Sequence, residues 1–221
     1  MKKTVPVETR DGSHTLFNER AGEHYHSVFG AVQESEHIFI RAGLAAFQPA
    51  PQMLQILEIG FGTGLNALLS MKWAEKHRQP IHYLGIEAFP LSQKLLEQLN
   101  YSDLLLTDRR LYMKMHDSRI VRQLSHYFAI QVLHEKFQDF SAESNVFHVI
   151  FFDAFSPDSQ PEMWTEEGFA RLYRALVPGG VLVTYSCKGS VKRALKAAGF
   201  SLEKLPGPLG KREFLRAVAQ K

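Results

Sequence analysis

Apolar residues in this chain gather into short runs, separated by glycine, proline and charged stretches. Met53–Leu57, broken only by Gln55, is one such run; Ile81–Ile86, Tyr127–Leu133, Val146–Phe152 and Val181–Ser186 repeat it. Strands buried on both faces need runs of this kind. Between them lie segments with helical spacing: Leu65 to about Lys76, Leu91–Leu99 with Ser92 near its start, and Thr165–Leu176 with Thr165 as N-cap. A further helix presents Val191, Leu195 and Ala198 on one face, with Lys192, Arg193 and Lys196 outside it. This alternation predicts an α/β fold with a doubly wound, mostly parallel sheet. Phe200–Leu205 and Arg212–Val218 flank Pro206-Gly207-Pro208-Leu209-Gly210, so they are predicted to pair as a hairpin. That hairpin places one antiparallel strand at the end of a seven-stranded sheet.

The N-terminal part patterns differently. Residues 4–30 alternate unevenly around Asp11-Gly12, a hairpin turn signal, and predict two short strands. Gly30–Ile40 reads as a helix with Val32, Phe39 and Ile40 on its apolar side. Gln48-Pro49-Ala50-Pro51 reads as a linker, dividing a hairpin and helix extension, residues 1–48, from a main domain, residues 49–221. Residues 100–125 are rich in charge, show no clear strand, and are read as a helical insertion.

The first main strand runs into Leu57-Glu58-Ile59-Gly60-Phe61-Gly62-Thr63-Gly64, and Leu65-Asn66-Ala67 opens a helix. Glycine lets a backbone turn sharply and a ligand approach it, while a helix start offers free N–H donors. A dinucleotide fingerprint needs glycine at its first, third and sixth positions, and Leu65 holds the sixth. The Glu58-x-Gly60-x-Gly62-x-Gly64 spacing instead resembles the first motif of class I S-adenosylmethionine (SAM) methyltransferases, which have a Rossmann-like fold. SAM carries no phosphate, so the turn would pack on its amino-acid end and ribose. The resemblance implies Glu58, Gly60, Gly62, Gly64 and Asn66 as cofactor residues.

Glu87 closes the second strand, 23 positions after Gly64. An acid there can accept hydrogen bonds from ribose hydroxyls. Glu135, Phe137, Asp139 and Phe140 follow the third strand. In a SAM site an acid here can accept from the adenine amino group and an aromatic can cover the ring. Asp139 and Phe140 are the favoured pair, with Glu135 as competitor. Asp153 closes the fourth strand. All four groups fall at the carboxyl edge of the sheet, where such folds bind ligands.

With 221 residues, 45% hydrophobic and 22% charged, the composition is that of an ordinary globular protein. The start has two lysines but no apolar run behind them, and no apolar stretch approaches ~20 residues, so neither a signal peptide nor a membrane span is expected. A cytoplasmic location follows from that reading. The single cysteine, Cys187, excludes an internal disulfide and reads as a small buried core residue. His24, His26 and His37 match no zinc spacing, and no metal is expected. Net charge is +3, but the chain from Lys188 onward holds nine Lys or Arg against two Glu, and the remainder carries −4. Such asymmetry points to an anionic partner, against the alternative of a solvated helix face.

Several stretches together resemble the MnmD-type tRNA methyltransferases, a family also found as the N-terminal half of bifunctional MnmC enzymes. They are Gln33–Ile40, Glu58–Asn66, Gly85–Pro90, Asp153-Ala154-Phe155-Ser156-Pro157 through Trp164, Pro178-Gly179-Gly180, and Lys211-Arg212-Glu213. The resemblance implies methylation of the aminomethyl group on the wobble 2-thiouridine of tRNA. Asp153 would be the catalytic residue, accepting from the amine as a base or only orienting it. Its segment also looks like a variant of the Asp/Asn-Pro-Pro-aromatic motif of amino-methyltransferases. Tyr25, His37, Phe155, Pro157, Lys192, Arg193, Lys211 and Arg212 are expected on the substrate side, the basic residues holding the anticodon arm. No room remains for the flavin oxidase domain of MnmC, so a separate oxidase or the enzymes that install the aminomethyl group would supply the precursor. Two other readings stand beside this one: a small-molecule N-methyltransferase or aminopropyltransferase, and a non-catalytic SAM- or RNA-binding domain.

Overall fold

A computed structural model describes residues 3–221. Strands β1 (Thr4–Glu8) and β2 (His14–Asn18) form the hairpin expected at Asp11-Gly12, and a two-residue β3 (Glu23–His24) adds to β2. Asp11 ties this small sheet to the first helix. Its Oδ1 accepts from the Ser13 N–H at 3.0 Å, and its Oδ2 accepts from the Gln33 N–H at 2.9 Å. Gln33 lies in α1 (Ala31–Ser35), which continues as a π-helix over Glu36–Leu44.

The main unit runs in the order β4 (Leu54–Ile59), α2 (Leu65–His77), β5 (Ile81–Ile86), α3 (Gln93–Leu96), α4 (Tyr101–Leu104), α5 (Arg109–His116), β6 (Arg122–Ser125), β7 (Phe128–Leu133), β8 (Phe147–Phe152), a 3-10 turn (Pro161–Met163), α6 (Glu166–Ala175), β9 (Leu176–Thr184), α7 (Gly189–Ala197), β10 (Ser201–Pro206) and β11 (Glu213–Val218). The sheet order is β10-β11-β9-β8-β4-β5-β7-β6. β9, β8, β4, β5 and β7 run parallel, and β11 runs antiparallel to both of its neighbours. The chain leaves β4 toward β5 on one side, and β8 packs on the other. That reversal opens a crevice at the carboxyl ends of the central strands.

Helices close both faces. Leu16, Ile38, Phe39 and Leu44 from the N-terminal part share one buried cluster with Leu54, Leu68, Phe151 and Val183. Phe152, Phe169, Leu182, Val191 and Leu195 form the cluster on the opposite face. Thr165 caps α6 as expected, its Oγ1 accepting from the Gly168 N–H at 3.1 Å.

Three expectations need correction. The sheet has eight strands, because residues 100–125 contribute the edge strand β6 as well as helices; β6 pairs antiparallel with β7. It escapes detection because it has four residues and a register shift between Gln123 and Ser125, which erases the alternation a strand would show. Leu91–Leu99 holds only one helical turn, α3, since Ser92 makes no side-chain cap, while Leu96 and Leu99 are buried in the core cluster. Cys187 is half-buried rather than part of the core.

Candidate active site

Where β4 ends, the chain makes three left-handed glycine positions, with φ of 88° at Gly60, 50° at Gly62 and 70° at Gly64. Side chains are excluded by more than the dihedral. A Cβ on Gly60 would stand 2.7 Å from the carbonyl oxygen of Asp153, and one on Gly62 would stand 3.1 Å from the Tyr25 ring. The turn is therefore pressed between the end of β8 and the segment after β3.

Thr63, inside the turn, is gripped from two sides. Its hydroxyl meets Nε2 of His26 at 2.8 Å, and its carbonyl accepts from the Tyr112 hydroxyl at 2.8 Å and from Nε2 of His116 at 3.2 Å. Burial pushes both imidazoles down to about 4, so they stay neutral at physiological pH. Tyr112 and His116 belong to α5, so the segment read as an insertion braces the glycine turn.

Glu87 closes β5 and bends back over the turn. Its Oε2 accepts from the Gly62 N–H and its Oε1 from the Phe89 N–H, both at 2.8 Å. A carboxylate has about four acceptor positions, so each oxygen keeps one free for the cleft that it lines. Across from it, the hydroxyl of half-buried Tyr25 is raised to about 12 by desolvation and by the Glu87 charge.

The other wall is made of side chains. Asp153 lines the cleft at the end of β8, and burial, with the charge of Glu34, raises its carboxyl to about 7. Its Oδ2 accepts from Asn66 Nδ2 at 2.9 Å. The same Nδ2 donates to Glu58 Oε1 at 2.8 Å, and the Tyr83 hydroxyl reaches Glu58 Oε2 at 2.7 Å. Glu58 is only 1% exposed, and desolvation lifts it well above the usual carboxylate range. Lys211 completes this wall. Its Nζ lies 2.5 Å from Oε1 of buried Glu34 and 4.1 Å from the centre of the Tyr185 ring, whose hydroxyl donates to the Ala154 carbonyl at 2.9 Å. Glu23 of β3 holds the loop beyond Asp153: it accepts from the Ser156 N–H at 3.0 Å, from the Ser156 hydroxyl, and from the Ser159 hydroxyl at 2.6 Å. Phe155 then stands edge-on to Tyr25, with ring centres 4.9 Å apart.

The resulting cleft has a volume of about 1140 Å³. It collects Tyr25, Gly60, Gly62, Glu87, Asp139, Asp153, Phe155 and Lys211 among the residues singled out in the sequence. Glu58 and Asn66 lie buried beneath it, and Gly64 packs against His116. Phe140 turns away, toward a separate pocket of about 160 Å³ beside Arg171 and Arg174; Phe137 and Glu135 face the cleft with Asp139. The π-helix carries His37 over the β10–β11 hairpin, where Nε2 meets the Pro206 carbonyl at 2.8 Å, outside the cleft. Pro157, Lys192, Arg193 and Arg212 are also outside its lining. Sequence reasoning missed Glu23, Glu34, His26, Tyr112, His116 and Tyr185. His26 enters the sequence reading only against a zinc spacing, Glu34 lies in the singled-out stretch Gln33–Ile40, Tyr112 and His116 lie in the segment read as an insertion, and Tyr185 in the Val181–Ser186 strand; nothing local marks them for the site. Among the described residues, no group of three or more His, Cys, Asp or Glu is placed to hold a metal ion.

A doubly wound sheet with a glycine turn at its switch point, an acid at the end of β5 and a second acid at the end of β8 defines a class of enzyme. Residues 109–220 match the family model of S-adenosyl-L-methionine-dependent methyltransferases, and the chain belongs to that family. Its methyl donor is accordingly SAM. The chain is 32% identical over 209 residues to the tRNA 5-methylaminomethyl-2-thiouridine biosynthesis bifunctional protein MnmC of Pseudomonas fluorescens, covering 87% of this chain and 31% of that protein. It is likewise 32% identical over 213 residues to MnmC of Aromatoleum aromaticum, covering 88% of this chain and 32% of that one. The chain thus spans about a third of the length of these relatives. Among solved structures, MnmC2 of Aquifex aeolicus superposes with a TM-score of 0.76 at 24% identity, over 99% of this chain and 71% of that one. Spermidine synthase of Thermotoga maritima shares the fold at a TM-score of 0.59 and 15% identity, over 99% of this chain and 70% of that one.

Proposed function

We propose that this protein methylates the primary amine of 5-aminomethyl-2-thiouridine at the wobble position of tRNA, giving 5-methylaminomethyl-2-thiouridine. The observation that carries the reading is Asp153: a carboxyl in the cleft, raised to about 7, beside the aromatic pair Tyr25 and Phe155. The names of the MnmC relatives supply the substrate class.

SAM supplies an electrophilic methyl group on a sulfonium. The turn suits such a ligand, because the space at Gly60 and Gly62 admits no side chain and Glu87 keeps free acceptor positions toward ribose hydroxyls. Asp139 or Glu135 would accept from the adenine amino group at the rim. The chain's own work falls on the acceptor. An alkylammonium has no lone pair, so one proton must leave before nitrogen attacks. Asp153 in its ionised form takes that proton; the nitrogen lone pair forms the new C–N bond as the C–S bond breaks, leaving a secondary ammonium and neutral S-adenosylhomocysteine. The protein's remaining contribution is to hold amine and methyl carbon on the order of 3 Å apart and in line. Phe155 and Tyr25 offer apolar faces to a base turned out of its stack.

The aminomethyl precursor would come from a separate oxidase or from the enzymes that install it. Lys192, Arg193 and Arg212, outside the cleft, are the proposed contacts for the anticodon arm.

The test incubates the purified protein with SAM and tRNA bearing 5-aminomethyl-2-thiouridine, then digests the tRNA for mass spectrometry. The expected product is one wobble nucleoside heavier by a methyl group. Transfer to free polyamines but not to this tRNA would overturn the reading.

A further inference from the structure

Glu58 and Asn66 are matched by the glycine motif and would be expected to touch the cofactor. The structure places them elsewhere. Both are buried, at 1% and 2% exposure, and neither lines the cleft. Asn66 Nδ2 has both of its hydrogens committed, one to Glu58 Oε1 and one to Asp153 Oδ2. Glu58 is closed off on its other oxygen by Tyr83. Nothing in this array remains free for a ligand except Asn66 Oδ1, which is buried without a hydrogen-bond partner.

An amide donor bonds an ionised carboxylate more strongly than the carbonyl oxygen of a protonated one. Asn66 as it stands therefore favours ionised Asp153. A half-turn of the same amide would present Oδ1, now orphaned, to a protonated Asp153. The environment opposes charge from most other directions. Glu34 raises the Asp153 carboxyl; Lys211 offsets this while itself paired with Glu34; Tyr185 and Tyr83 are phenols held neutral. Glu58, which accepts from the same Nδ2 and from the Tyr83 hydroxyl, adds a further acid to this wall.

We infer that Asn66 and Glu58 are positioning residues for Asp153, not cofactor ligands: Asn66 donates to the ionised base, and Glu58, anchored by Tyr83, fixes the amide that does so. Asn66 thereby helps this carboxyl hold the charge needed to accept a proton from an ammonium. This rests on the proposed role of Asp153 as the group facing the amine.

The experiment uses two variants and two readouts. Asn66→Ala removes the donor. Glu58→Gln keeps a side-chain oxygen to accept from the amide. Calorimetry measures SAM affinity, and carboxyl ¹³C NMR follows the titration of Asp153 in parent and variants, independently of turnover. Asn66→Ala should raise the Asp153 midpoint by about one pH unit, the shift worth about 1.4 kcal/mol in a lost hydrogen bond to the charged form. It should move the acid limb of the pH–rate profile by the same amount and leave SAM affinity close to the parent's. Glu58→Gln should leave SAM affinity unchanged. A tenfold loss of SAM affinity in either variant, with the Asp153 midpoint unmoved, would overturn the inference and return both residues to the cofactor. Should the parent fail to methylate the tRNA while its Asp153 midpoint still responds to Asn66→Ala, the coupling stands and the substrate assignment falls.

Discussion

The two walls of the cleft are built by different means. The wall at the glycine turn is mostly backbone: left-handed glycines, the Gly62 and Phe89 N–H groups, and Glu87 spanning them. The wall around Asp153 is almost all side chain, with Glu23, Glu34, Asn66, Tyr185 and Lys211 arriving from β3, α1, α2, the end of β9 and the turn before β11. A backbone cradle binds by shape and changes little with pH. A wall of coupled carboxyls, phenol and ammonium holds a proton balance that shifts with pH and with a charged substrate. One molecule thus pairs a wall fixed by its backbone with one tuned by its side chains.

The largest expected effect separates the walls outright. Asp153→Ala should cut turnover by about 10²- to 10⁴-fold, the usual share of a general base, while SAM affinity stays close to the parent's. Single-turnover assays with calorimetry check it; parental turnover would mean another group takes the proton. Next comes the converse. Glu87→Ala should weaken SAM binding by about tenfold or more, since a hydrogen bond to a charged group is worth about 1.5–3 kcal/mol. Unchanged affinity by calorimetry would remove Glu87 from the ribose.

A smaller effect tests the proton balance through stability. Asp153 is raised from 3.8 to about 7 in the folded chain, so between those values the native state binds more protons than the unfolded one. Stability from this group is full below pH 3.8 and lost as pH rises through about 7. Asp153→Asn should therefore raise Tm at pH 8 by at least about 2 °C, the response of a domain this size to about 1 kcal/mol. The gain should vanish near pH 4, and thermal melts across this range would show it. Smallest of all is the response of the outer surface. Replacing Lys192 and Arg193 by Gln should flatten the salt dependence of tRNA binding by about one unit of slope for each phosphate left without its cation, and leave SAM binding alone. Equal slopes would show that these charges are only solvated.

The backbone wall was largely legible in the sequence. A strand, a glycine turn and a helix succeed one another within a dozen or so residues, and Glu87 and Asp153 are each the first polar residue after an apolar run. The side-chain wall was not. Glu34 and Lys211 are far apart in the chain, and neither shows by local pattern that it will be buried against the other. Phe137 and Phe140 are both aromatic, three positions apart; which one faces the cleft depends on how Arg171 holds the loop, its Nη1 donating to the Gln138 and Phe140 carbonyls. Tyr112 and His116 sat in a charged stretch with no reference point, because β6 beyond them is too short to announce a sheet.

The place of β11 has a consequence for synthesis. This strand lies between β9 and β10, though it is translated after both. Until it emerges, β10 has no hydrogen-bonded neighbour, and the turn that precedes β11 has not delivered Lys211 to Glu34. A nascent chain still lacking residues 211–218 would carry its glycine turn and Asp153 already translated, yet with Glu34 facing Asp153 uncompensated. Premature termination anywhere before β11 should thus leave no partly active product, and the wall around Asp153 is complete only once the ribosome has passed Val218.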